Sequence, residues 1–348
     1  MMTALPSEPF GSLPDGRDTT LYTLRNDQLR VRITDYGGRM VSIEAPDRNG
    51  RRDHVLLGFD SVDGYRTAGS FGTLLGRYAN RIATGSFTLD GQTYMLSRND
   101  GDNTLHGGAD GFSKRLWDVA TAAADPLSTL ALALVSPDGD QGFPGEVTIR
   151  ATFQLNADTL SLAFEAQTTK PTIVNLSAHP YFNLGGPASR DVLDHEVTIA
   201  AEAFLPTNAK QIPTGEIRSV QGTQFDFRQA TRLGARILQP DPQIFYGLGY
   251  DHCFVLGGDG PAVKVLDRLS GRVLEIYTDQ PGVQVYTGNK LSGAFAGHGG
   301  VIYRQSAGLA LEPQGLPDSP HHANFPSAVL RPGETYRRNI RYRFTSEG

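Results

Sequence analysis

The sequence predicts an all-β protein built as a large antiparallel β-sandwich, and three observations carry that expectation. Stretches in which apolar and polar residues alternate recur along the chain, the pattern of strands with one buried face. Glycine (40) and proline (21) are abundant beside 13 tyrosines and 17 phenylalanines, a composition suited to strands joined by turns. Strand also follows strand across short turns with no βαβ rhythm, which favours antiparallel pairing.

Taken in order, residues 1–15 are expected to form a loose N-terminal tail and residues 16–348 a single β-sandwich domain. "QLRVRITDYGG" (28–38) sets Leu29, Val31 and Ile33 against Arg30, Arg32 and Thr34, then stops at Gly37-Gly38. "GSFTLDGQTYML" (85–96) reads as two strands around Asp90-Gly91, a strong short hairpin signal. Residues 147–180 read as three consecutive strands with turns near Asn156–Asp158 and Lys170-Pro171. Residues 262–288 repeat that layout with turns at Ser270-Gly271 and Gln280–Gly282, and 334–344 form a last alternating strand. Helical periodicity is confined to "DSVDGYRTAG" (60–69) and "QATRLGARIL" (229–238), both short and interrupted by glycine. No regular repeat period or Pro/Ser/Gly linker divides the chain.

Charge and cysteine usage exclude several functions. The net charge is −5 and the basic residues are scattered, so neither a nucleic-acid stripe nor a polybasic membrane patch is expected. A single cysteine, Cys253, allows no internal disulfide. The opening residues lack a basic segment followed by an apolar core, and no apolar run approaches the roughly 20 residues of a membrane span. The expectation is a soluble cytoplasmic protein.

Six short stretches are rich in polar groups that core patterning does not require: "GRYANRI" (76–82), "NTLHGG" (103–108), "SAHPYFNLGG" (177–186), "GYDHCF" (249–254), "PGVQVYTGN" (281–289) and "ALEPQG" (310–315). Each alone reads most simply as a surface corner, a turn or an edge-strand stop. Two of them place an ionisable group at the end of an apolar run: His179 before Pro180, and Glu312 before Pro313. A carboxyl (ordinary pKa about 4.3) and an imidazole (about 6.5) are a workable base and acid near neutrality. No Cys/His spacing suits a metal, and no phosphate loop or dinucleotide fingerprint is present, so neither metal nor cofactor is expected.

In their order and spacing these stretches, with "PDSP", "FPS" and "LRPGE" downstream, resemble the aldose 1-epimerase (galactose mutarotase) family from about residue 30 to 344. The resemblance implies a mutarotase-like supersandwich that interconverts the α and β anomers of free aldoses such as galactose and glucose. It implies Glu312 as general base and His179 as general acid. His106 would position the ring oxygen or the acid, and Asn80, Arg81, Asp251 and Gln284 would bind sugar hydroxyls. In such a reaction the base takes the proton of the C1 hydroxyl while the acid protonates the ring oxygen. The open aldehyde then rotates and recloses on its other face.

Two departures stand out. Cys253 occupies a position where the family often has asparagine; on a strand it shares a face with Asp251, about 6.5 Å along, and is expected to be buried and inert. His321-His322 is a doublet where at most one histidine is expected, and on a strand its rings would point to opposite faces. Competing readings are a glycoside hydrolase or lyase, which needs a second carboxylate, a non-catalytic sugar-binding protein, and a mutarotase of phosphorylated sugars or pentoses. The expected partner is a small aldose, and the expected assembly a monomer or homodimer.

Overall fold

The computed structural model describes residues 3–186 and 189–348. Its largest sheet has nine strands, in the spatial order Asp118–Ala123, Ser128–Ser136, Val147–Asn156, Thr159–Thr168, Tyr336–Ser346, Arg272–Thr278, Val263–Leu266, Glu196–Ile199 and Thr231–Arg232. Alternation does what the sequence asks of it: Val147, Ile149, Ala151, Phe153 and Leu155 turn inward while Thr148 and Arg150 face solvent. A six-stranded sheet runs Tyr181–Phe182, Leu309–Gln314, Gly282–Tyr286, Asp251–Leu256, Ala201–Phe204 and Arg218–Ser219. A five-stranded sheet covers Ser7–Ser12 through Arg52–His54 in chain order. All three sheets contribute to one apolar core, represented by Leu162 and Ile340, by Val283 and Leu311, and by Val31 and Ile43. The all-β expectation holds.

The six-stranded sheet positions the site. Gly282–Tyr286 and Leu309–Gln314 are buried at every residue, so both faces are covered. One face sends Val283, Val285, Leu309 and Leu311 into the core. The opposite face is polar. Antiparallel partners project to the same side of a sheet, and the register pairs Gln284 with Glu312, Cys253 with Gln284 and Asp251 with Tyr286. Asp251, Cys253, Gln284, Tyr286 and Glu312 therefore share that polar face.

Four local expectations need correction. The N-terminal segment is not loose: Ser7–Ser12 pairs with Asp18–Arg25, and Leu5, Phe10 and Leu13 are buried. A register shift between Pro9 and Gly11 breaks the alternation that would have disclosed the strand. Residues 229–238 contain no α-helix, only the strand Thr231–Arg232 and a 3₁₀ turn, Leu233–Ala235, whereas Val62–Ala68 is helical as expected. The helix Pro242–Gly247, with the Asp241 side chain accepting from Gln243 N–H at 2.7 Å, has a regular N-cap that the periodicity reading passes over. The third strand expected within 147–180 is broken into Thr172–Ile173 and Ser177–Ala178. Between them Asn175 N–H donates to the Arg77 carbonyl, and Ala79 N–H donates to the Asn175 carbonyl.

Candidate active site

His179 stands where two short strands meet. Ser177–Ala178 pairs with Leu74–Leu75, and Tyr181–Phe182 pairs with Leu309–Gln314. Its N–H donates to the Thr73 carbonyl and its carbonyl accepts from Gly72 N–H, both at 2.9 Å, so the backbone is clamped on either side. The imidazole is 5 % exposed, against Tyr181 at a centroid distance of 4.8 Å and His106 at 5.5 Å. Its Nε2 lies 3.4 Å from Oε1 of Glu312, which is 2 % exposed. His179 Nδ1 and Glu312 Oε2 have no hydrogen-bond partner among the described residues.

Burial disfavours charge on both groups. It pushes the Glu312 carboxyl well above the usual carboxylate range, with nearby Asp251 adding to the rise and Arg81 opposing it. It holds the His179 imidazole down to about 4. Burial therefore favours the proton on the carboxyl over the imidazole.

His106 and Asn80 hold each other by backbone geometry. His106 N–H donates to the Asn80 carbonyl at 3.0 Å, and Asn80 N–H donates to Nδ1 of His106 at 3.1 Å. Both residues take left-handed backbone angles, φ 51° and 65°, uncommon for side chains larger than glycine and enriched for Asn and His. Gly107 is needed beside them: a Cβ there would lie 2.1 Å from the Gly76 carbonyl oxygen. Because Nδ1 accepts a hydrogen bond, the neutral ring carries its proton on Nε2. Burial, with His179 and Arg81 nearby, keeps the pKa of this imidazole well below its ordinary value. His106 is thus a fixed N–H donor.

His106, His179 and Glu312 are also the one group among the described residues whose ligating atoms gather within 4.8 Å as a metal site would require. The donor set argues against a metal, since the His106 nitrogen left for a ligand bears a proton rather than a lone pair. A metal would first have to displace the Asn80 hydrogen bond.

Arg81 and Asp251 form the second half of the site. Arg81 Nε donates to Asp100 Oδ2 at 2.7 Å and its Nη2 to Gln211 Oε1 at 2.9 Å. Asp251 accepts from Gln284 Nε2 and from Gln211 Nε2, both at 2.7 Å. Gln284 gives one amide N–H to Asp251, which leaves its second N–H and its oxygen. A cavity of about 240 Å³ brings these groups together: Asn80, Arg81, His106, His179, Asp251 and Glu312 line it, with Phe71, Tyr181, Tyr286 and Phe295 as an aromatic wall.

Sequence reasoning found every charged group of that cavity except Lys290. Tyr181 and Tyr286 lay inside the quoted stretches, whereas Phe71, Phe295 and Gln211 carried no signal. Cys253 is buried, as expected, among Leu205, Leu316 and Phe325, and burial raises its thiol pKa far above the ordinary value. The His321-His322 doublet is not on a strand. His321 ends the 3₁₀ turn Ser319–His321 and His322 caps it, and both rings reach Asp318, His321 Nδ1 at 2.6 Å and His322 Nε2 at 3.4 Å. Asp318 in turn accepts from Ala83 N–H and donates its own N–H to the Arg81 carbonyl, both at 2.9 Å, so "PDSP" braces the segment that carries Arg81.

The comparison with known families is decisive here: the model described as aldose 1-epimerase matches residues 20–343. The chain belongs to the aldose 1-epimerase family. It is 44 % identical to a galactose mutarotase from Bos taurus over 349 residues, covering 99 % of each chain. It is 39 % identical to an aldose 1-epimerase from Escherichia coli over 343 residues, covering 96 % of this chain and 97 % of that one. A crystal structure of an aldose epimerase homologue from C. elegans superimposes with a TM-score of 0.87 at 30 % identity, over 94 % of this chain and 99 % of that one. Membership in the aldose 1-epimerase family makes the chain a carbohydrate epimerase on a mutarotase-like sandwich, and among the described residues no helix is long and apolar enough to cross a membrane.

Proposed function

We propose that this protein interconverts the α and β anomers of free aldoses, galactose and glucose first, with Glu312 as general base and His179 as general acid. The observation that carries the assignment is the 3.4 Å approach of His179 to Glu312 within the cavity, each with a second polar atom unpartnered. One proton serves the pair throughout. Transfer from the carboxyl to the imidazole gives the working form, carboxylate and imidazolium, beside a bound sugar. The carboxylate then takes the proton of the C1 hydroxyl as the imidazolium gives its proton to the ring oxygen. The open-chain complex has a protonated carboxyl and a neutral imidazole, the distribution that burial favours. Closure on the other face of the aldehyde reverses both transfers.

The remaining groups fit a sugar. The fixed N–H of His106 suits the ring oxygen, and Arg81 with Asp251 offers donors and acceptors for neighbouring hydroxyls. The aromatic wall suits the C–H faces of the ring. The relatives' names favour galactose. A hydrolase would need a second catalytic carboxylate, and Glu312 faces an imidazole instead. A cytoplasmic setting, as monomer or homodimer, is part of the proposal, since the lone buried Cys253 requires no oxidising compartment.

Polarimetry of freshly dissolved α-galactose, α-glucose, xylose and arabinose tests this reading. The protein is expected to speed the approach to anomeric equilibrium, most strongly for the hexoses, and no acceleration with any sugar would overturn it. The pH profile follows from the pair. A second proton binds only as pH falls toward the depressed imidazole value of about 4, and the single proton is lost only above the raised carboxyl value. kcat/KM should therefore hold through about pH 6.5, where an ordinary imidazole titrates, and fall as pH nears 4. An acid limb centred near 6.5 would rule out the one-proton pair.

A further inference from the structure

We propose that Gln211 is a positioning residue that holds Arg81 and Asp251 apart as two separate hydroxyl-binding groups. The inference rests on the sugar-binding reading above and deepens it. Gln211 lies in the loop between Ala201–Phe204 and Arg218–Ser219, behind the cavity. Its Oε1 accepts from Arg81 Nη2 at 2.9 Å and from Lys290 Nζ at 3.4 Å, while its Nε2 donates to Asp251 Oδ2 at 2.7 Å. A guanidinium and a carboxylate that line one cavity can join in a direct, often bidentate, ion pair that uses up donors and acceptors together. One amide stands between them instead.

An amide suits this place, where an ionised side chain does not. It offers an acceptor to the cations and a donor to the carboxylate; an ionised carboxylate has acceptors alone and an ammonium donors alone. The orientation of the amide is fixed by its partners, because the flipped form would set N–H₂ against Arg81 and Lys290 and oxygen against Asp251. The backbone also places Gln211 deliberately. It takes φ 59°, a conformation that costs free energy in a non-glycine residue. A tight turn holds it there: Gln211 N–H donates to the Asn208 carbonyl at 2.8 Å, and Asn208 Oδ1 accepts from Lys210 N–H at 2.9 Å and Ile212 N–H at 3.2 Å. With Gln284 on Oδ1 and Gln211 on Oδ2, the Asp251 carboxylate cannot rotate. Each of its oxygens keeps a lone pair for a ligand.

Steady-state polarimetry of the full-length protein on galactose, with the wild type, Gln211→Met and Gln211→Glu run in parallel from pH 5 to 9, tests the inference. Methionine keeps the length of the side chain and removes its hydrogen bonds. KM is expected to rise roughly tenfold, the effect of losing one hydrogen bond to a charged group, with kcat within about threefold. Gln211→Glu sets two carboxylates against each other beside Arg81 and Lys290, so the pair must share a proton to reproduce the wild-type pattern. Its KM, divided by that of the wild type at each pH, should approach one at the acid end and climb as pH rises. A residue with a merely structural role would produce no such titration. Wild-type turnover in the same series reads the function itself. Beside an active wild type, unchanged KM in both variants, or a fall in kcat with KM unchanged, overturns the role given to Gln211 and leaves the function standing.

Discussion

Glu312→Gln is expected to lower kcat by roughly 10²–10⁴-fold, the usual contribution of one general base, without lowering the melting temperature at pH 8. Glutamine keeps the length of the side chain and an acceptor oxygen but cannot take a proton from the C1 hydroxyl. The effect on stability follows from linkage. Burial raises the Glu312 pKa in the folded protein above its value in the unfolded chain. Between those two values the native state binds the extra proton, so this group lends stability at low pH and costs stability as pH rises through the folded value. The amide removes that cost. The variant should therefore melt at or above the wild-type temperature at pH 8, and the gap should shrink as the pH is lowered toward 4. Paired thermal scans at several pH values, with polarimetric rates from the same preparations, check both halves. Near-normal turnover would make Glu312 a structural residue of its strand. A variant that is inactive because it melts far below the wild type would mean that the carboxyl is chiefly a stabilising group.

His179→Asn is expected to reduce kcat about as severely as the loss of Glu312, with a modest change in affinity, whereas His106→Asn should weaken affinity at least as much and spare more of the chemical step. The two histidines differ in how their rings are held. His106 gives its Nδ1 lone pair to Asn80 N–H and presents a neutral N–H. It can orient the ring oxygen, a contribution of about 1 kcal/mol for an ordinary hydrogen bond, but its one lone pair is taken by Asn80 N–H, so it cannot be recharged by the carboxyl. His179 stands 3.4 Å from the carboxyl that can recharge it. Saturation curves for both variants, on whichever sugar the wild type turns over fastest, separate the roles. If His106→Asn has the lower kcat, the assignment is reversed and His179 becomes the positioning residue.

Those assignments came through the order of motifs that the family resemblance matches, while local features were legible where their neighbours are sequence-local. The hairpin at Asp90-Gly91 was legible for the same reason: φ values of 49° and 79° at its two central residues are what that dipeptide adopts in a two-residue turn. The shared face of Asp251 and Cys253 followed from the two-residue strand period alone. Features set by long-range contacts were not legible. The strand Ser7–Ser12 is disguised by a bulge, and the expected strand after Lys170 is broken by hydrogen bonds from Val174 and Asn175 to residues far away in sequence. Gln211 belongs to this second kind. In "TNAKQIP" it is one polar loop residue among several, and its role exists only because the fold brings Arg81, Asp251 and Lys290 to it from three separate segments.

The clamp between Asn80 and His106 bears on how such a site can diversify. The bond that fixes the His106 tautomer comes from the main chain, and every residue except proline supplies it. Position 80 is limited by its φ of 65° and by the bond that Asn80 Oδ1 accepts from Arg81 N–H at 2.8 Å, so aspartate can keep both while glycine keeps only the backbone angle. On the proposed reading, in which Asn80 meets the sugar, its amide can therefore be exchanged for a carboxylate without disturbing the donor beside it. If the proposed roles hold, sugar preference should shift with the residue at position 80 while the proton-transfer rate is kept, and a focused library at that one codon measures the two properties separately.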